Sequence, residues 1–100
     1  MFNVDRQLQG NKMTVELSGQ LDTMAAPQLD EVIRPYFGMV NNIVFDAADL
    51  VYVSSSGLRV LLSAQKAMNA CGGKMKIINT PSAVRSIFDV TGFSDILTVE

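Results

Sequence analysis

The chain opens on an alternation. Phe2, Val4 and Leu8 fall on one parity, Asn3, Asp5, Gln7 and Gln9 on the other, with Arg6 interrupting the apolar row. This predicts a half-exposed strand. Gly10-Asn11 is a two-residue turn signal, since both types tolerate positive φ. Met13, Val15 and Leu17 then alternate with Thr14, Glu16 and Ser18, so the first twenty residues read as a β-hairpin. Ala25, Leu29, Val32, Ile33 and Tyr36 or Phe37 recur at helical spacing. Pro27 suits a first turn, where its missing N–H breaks no bond, and Pro35 should end the helix near Arg34.

Ile43-Val44-Phe45 is a continuous apolar run, as expected of a strand buried on both faces. The stretch from Asp46 to Ser55 reads as a connection with its own apolar content, Leu50, Val51 and Val53. Ser56-Gly57 then opens the clearest helix. Leu58, Leu61, Ala64, Met68 and Cys71 form one stripe, and Arg59, Ser63 and Lys66 the opposite face. Gly72-Gly73 supplies the stop. Met75 and Ile77-Ile78 predict another strand. Pro81 to Val90 predicts a third helix, with Thr80 as N-cap and Pro81 at its first position. Gly92 terminates it, and Ile96 to Val99 reads as a short last strand. The order β-β-α-β-α-β-α-β implies one α/β domain over residues 1–100. Its sheet is mostly parallel with an antiparallel N-terminal hairpin, and helices pack on at least one face.

Composition narrows what such a domain can do. Hydrophobic residues are 48% and charged residues 18% of the 100, enough apolar side chain for a real core. Eight Lys and Arg against ten Asp and Glu leave a net charge of −2, which argues against a nucleic-acid partner. One cysteine and no histidine exclude an internal disulfide, most zinc sites and any Ser-His-Asp or Cys-His catalytic group. No apolar run reaches the ~18–20 residues of a membrane span. The N-terminus lacks a secretory apolar segment, so the cytoplasm is the expected compartment. An enzyme is the weakest reading: Lys66 lies nearly three turns beyond Ser56 on the polar face, and no Gly-x-x-x-x-Gly-Lys loop exists.

In sheets of this kind, sites form beyond the carboxyl ends of the strands. Asp22, Asp46 and the run Ser54-Ser55-Ser56 are the polar groups expected there. Ser56 has two readings. It can be an ordinary N-cap, stabilising by about 1 kcal/mol. It can also be an acceptor serine, since a phosphate at a helix start meets free N–H groups and the positive end of the dipole. Asp22 and Asp46 can likewise be simple caps of turns or helices, and Cys71 a core residue.

The segment YVSSSGLRVLL, Tyr52 to Leu62, resembles the phosphorylation-site segment of STAS domains, most closely those of bacterial anti-sigma factor antagonists. GQLD at Gly19–Asp22, IVFDAADL at Ile43–Leu50, GKMKIIN at Gly73–Asn79 and VTGFSDIL at Val90–Leu97 fit the same family in order and spacing. The resemblance implies that Ser56, directly before Gly57, is the phosphoacceptor. It maps the strand-end aspartates to Asp22 and Asp46, and a partner-binding surface to these with Ser54, Ser55, Gly57 and Arg59. Ser54 stands where the family usually has Asp. The implied function is partner switching. Unphosphorylated, the protein binds an anti-sigma factor that is also a serine kinase; phosphorylated, it lets go, and a serine phosphatase resets it. ATP and magnesium belong to the kinase, so no cofactor or metal is expected on this chain. The alternatives are an unmodified STAS subunit of a lipid-transport ABC complex, or a nucleotide or small-molecule sensor using the strand-end crevice.

Overall fold

The computed structural model describes residues 1–100. Four strands, β1 (Asn3–Gln9), β2 (Lys12–Leu21), β3 (Asn42–Val53) and β4 (Lys74–Ile78), form one sheet in the order β1-β2-β3-β4. β1 and β2 are antiparallel; β2, β3 and β4 run parallel. The crossovers are α1 (Ala26–Ile33) and α2 (Ser55–Ala70), and α3 (Ser82–Thr91) follows β4. The hairpin turn is the expected Gly10-Asn11, but only Gly10 takes a positive φ, 60°. That is the Gly-first form of the two-residue turns that match strand twist.

Register explains the core. Met13, Ile43 and Met75 sit side by side, as do Val15, Phe45 and Ile77, and all six are buried. Leu29 and Ile33 of α1, Leu58, Leu61 and Met68 of α2, and Val84 and Phe88 of α3 join them in one cluster. All three helices therefore share a core with this face of the sheet. Pro27 sits in the first turn of α1, and Pro35 lies in a 3-10 turn, Arg34–Tyr36, that ends it.

Several expectations fail, each for a local reason. The stretch after Asp46 is strand, not connection: β3 runs on to Val53. Two register shifts against β2 insert two extra residues into β3. The buried positions become Ala47, Leu50 and Val53, every third residue, and a bulged strand loses the two-residue period. Cys71 is exposed, because α2 stops at Ala70 and the stripe ends with it. Thr80 does not cap α3. Pro81 holds the N-cap place without a side-chain bond, while the Thr80 N–H donates to the Glu100 carbonyl at 3.2 Å. Ile96–Val99 makes only a single bridge, Val99 to Ile77. A 3-10 turn at Phe93–Asp95 and the burial of Leu97 use up the preceding residues.

Candidate functional site

β2 and β3 end together, Leu21 opposite Val53. The Ser54 N–H donates to the Leu21 carbonyl at 2.9 Å, so the two strand ends are tied just where both chains leave the sheet. Asp22 and Ser54 are thus neighbours. The Asp22 Oδ1 accepts from the Ala25 N–H at 2.9 Å, and its main-chain carbonyl from the Ala26 N–H at 3.0 Å. Asp22 therefore shapes the entry to α1 with one carboxylate oxygen. The other makes no protein hydrogen bond.

Four consecutive residues open α2, and each meets a different constraint. Ser54, buried, is the N-cap: its Oγ accepts from the Gly57 N–H at 3.2 Å. The cap expected of Ser56 belongs to Ser54, because extended backbone persists to that residue (φ −82°, ψ 171°). Ser55 and Ser56 occupy the first two helical positions. Their N–H groups have no protein acceptor, as the first turn of a helix requires. Ser55 is exposed and Ser56 half-buried, and neither hydroxyl is hydrogen-bonded within the chain. Gly57 is buried against the end of β2. A Cβ there would lie 2.7 Å from Leu21 Cγ and 2.8 Å from the Leu21 carbonyl oxygen. Glycine follows Ser56 because the helix start is pressed onto a backbone oxygen.

Ser56 borders an open groove of about 530 Å³ that runs along α1, from the turn before it to its C-cap Arg34, and beside the first half of α2; Thr23, Asp30, Arg34, Arg59 and Ser63 share it. Arg59, one turn past Ser56, is exposed and forms no ion pair. Arg34 makes a two-pronged pair with Asp30, both contacts 2.9 Å. Asp30 holds the Arg34 guanidinium above its ordinary range, first by this hydrogen bond and then by its charge. Large apolar side chains stand exposed nearby: Met24 at 87% in the turn before α1, Val51 at 59% and Tyr52 at 46% in the last residues of β3.

Asp46 is not part of this cluster. It lies inside β3, opposite Ile78 at the end of β4. Val53 lies seven positions further along the strand, roughly 20 Å away. Its Oδ1 accepts from the Ala48 N–H at 3.1 Å and the Asn79 side-chain amide at 3.3 Å. The structure thus gathers Asp22, Ser54, Ser55, Ser56, Gly57 and Arg59 at one end of the sheet and leaves Asp46 at the shorter end of β4. Sequence reasoning missed Asp30 and Arg34. Their four-residue spacing marks an ion pair on a helix, but only the packing of α1 beside α2 brings it to the groove that Ser56 borders.

A fold with this strand order and this helix start defines a known class. The STAS domain family model matches residues 3–100, and the chain belongs to that family. It is 30% identical over 98 residues to the anti-sigma-B factor antagonist of Bacillus subtilis (strain 168), covering 98% of this chain and 90% of that one. The fold is that of the anti-sigma factor antagonist SpoIIAA in its unphosphorylated form (TM-score 0.82, 22% identity, 100% of this chain and 88% of that one). It is also that of the Bacillus cell fate determinant SpoIIAA in the phosphorylated form (TM-score 0.76, 22% identity, 100% and 91%). No helix is long and apolar enough to cross a membrane.

Proposed function

We propose that the chain is an anti-sigma factor antagonist controlled by phosphorylation of Ser56. The observation that carries this reading is the division of labour at the start of α2. Ser54 supplies the cap, so the Ser56 hydroxyl is left without a structural task. Modifying it removes no hydrogen bond from the fold. Two unpaired N–H groups and the helix dipole favour an added anion there. A relative 30% identical over 98 residues is itself named an anti-sigma-B factor antagonist.

The partner is an anti-sigma factor that is also a serine kinase. It transfers the γ-phosphoryl group of ATP to the Ser56 oxygen; a P–O bond forms, ADP leaves and the hydroxyl proton passes to the kinase. A phosphatase reverses the modification. Met24, Tyr52, Ser55 and Arg59 are the exposed groups around the acceptor that the partner would cover. Phosphoserine carries about −1.5 to −2 charges at pH 7. Against one carboxylate about 5 Å away, at an effective dielectric of ~20, repulsion is roughly 3 kcal/mol per unit pair. Since about 1.4 kcal/mol is tenfold in affinity, one acidic group on the partner would loosen the complex on the order of 100-fold. No refolding is needed.

The test is covalent and then thermodynamic. Incubated with the cognate kinase and ATP, the wild type should gain one phosphate by intact mass and Ser56→Ala none. Ser56→Ala should bind the kinase as the unmodified wild type does, and Ser56→Asp more weakly. A wild type that stays unmodified, or Ser56→Asp binding at full affinity, overturns the proposal.

A further inference from the structure

Three charged side chains line the groove beside Ser56: Asp30, Arg34 and Arg59. Two arginines against one aspartate leave the groove a formal charge of +1. Arg59 has no carboxylate partner, and Arg34 shares its carboxylate on an exposed surface (side-chain exposure 60% and 27%). The pair is two-pronged but open to solvent, so an anion of higher charge than one carboxylate, such as a phosphate, can compete for Arg34. Arg59 lies at i+3 from Ser56, where helical side chains are neighbours about 5–6 Å apart at Cβ. Arginine also presents the planar fork that matches phosphate oxygens two at a time.

We infer that the groove between α1 and α2 is an internal phosphate-binding site, in which Arg59 and Arg34 hold the phosphate of modified Ser56 and Arg34 gives up Asp30 to do so. The inference rests on the reading of Ser56 as the modified residue and adds how the modified state is read. Two consequences follow. The formal charge of the groove moves from +1 to about −1 once a phosphate of about −2 is added. The Asp30 carboxylate, released from its arginine, is presented to whatever approaches α1. The switch then acts on two surfaces at once, the start of α2 and the exposed flank of α1. A partner of the unmodified form would place an acidic group over Arg59.

The experiment needs no kinase. Phosphoserine is installed at position 56 of the full chain by genetic code expansion, and the phosphate is titrated by ³¹P NMR at about 0.15 M salt, where remote charges are screened. The proteins are the wild-type background, Arg34→Gln, Arg59→Gln, the double variant, and Lys66→Gln as an exposed charge on the same helix outside the groove. The second ionisation of phosphoserine is ordinarily near 6. In the wild-type background it should lie about 0.5–1 below its value in the double variant, with each single variant between. Lys66→Gln should leave it within about 0.1 of wild type. Equal values in wild type and double variant overturn the phosphate site. A full effect from Arg59→Gln with none from Arg34→Gln overturns the exchange with Asp30. An effect of Lys66→Gln as large as that of the arginines reduces the result to diffuse charge and overturns the site as well. Failure of the wild type to be phosphorylated by a kinase would sink the reading of Ser56 alone, because the arginine contacts are measured without it.

Discussion

Gly57→Ala isolates the contact that sets Ser56 in place. The new methyl carbon would stand 2.7 Å from Leu21 Cγ and 2.8 Å from the Leu21 carbonyl oxygen, well inside normal contact. The side chain of Leu21 can rotate away from part of this. The carbonyl cannot, since it accepts the Ser54 N–H at 2.9 Å and moving it breaks the tie between the two strand ends. Overpacking of this kind destabilises by about 1–3 kcal/mol. Alanine returns some of that through helix propensity, at most about 1 kcal/mol and less in a first turn. The net loss should be about 1–2 kcal/mol. For a domain of this length each kcal/mol moves Tm by about 4–8 °C. Thermal unfolding followed by far-UV circular dichroism should therefore show a midpoint roughly 5–15 °C below wild type, with partner binding weakened in parallel as the helix start moves. A midpoint equal to or above wild type would mean that the close approach of α2 to Leu21 is slack, and the account of the Ser-Gly pair would fall.

The other side chains of the site should respond more gently. Ser54→Ala removes the acceptor of the Gly57 N–H and should lower stability by about 1 kcal/mol, while Ser54→Asp, an equally good cap, should leave the melting midpoint within a few degrees; equal midpoints for Ser54→Ala and wild type would refute the capping role. Asp22→Asn keeps an oxygen for the Ala25 N–H and should melt close to wild type, whereas Asp22→Ala should lose about 1 kcal/mol. If Asp22→Asn binds the proposed anti-sigma factor partner as tightly as wild type in a titration, the carboxylate charge has no part in recognition.

How much of this was legible depends on whether a residue's role is local. The hairpin, the Gly72-Gly73 stop and the prolines of α1 follow from single-residue conformational preferences, and all stand in the structure. β3 was misread because its two extra residues turn a two-residue period into a three-residue one, which no alternation test detects. The consequence reached the site: placing the end of that strand at Asp46 put an aspartate beside Ser56 that belongs to the end of β4. Thr80 failed in the same way. Its N–H is drawn into pairing with Glu100, twenty residues on, and a capping signature cannot register a distant competitor. The motif around Ser56 was readable as a motif. Which serine caps and which stands free was not, since that depends on how far the strand conformation persists before the helix begins.

That last distinction decides whether the helix start can serve as a switch at all. Were Ser56 the cap, a phosphoryl group on its oxygen would have to displace the hydrogen bond that starts α2, and modification would unsettle the helix along with the partner. With Ser54 as the cap, the helix keeps its first bond in either state. Ser54 is also buried, so its hydroxyl is withheld from an incoming active site, while Ser56 faces the groove. Gly57 completes the arrangement by letting the helix start sit against Leu21, which fixes the direction in which Ser56 projects. The free energy of the switch can then appear almost wholly at the interface, where a few kcal/mol decide association, and not in the fold, where the same amount would be a large fraction of a small domain's stability.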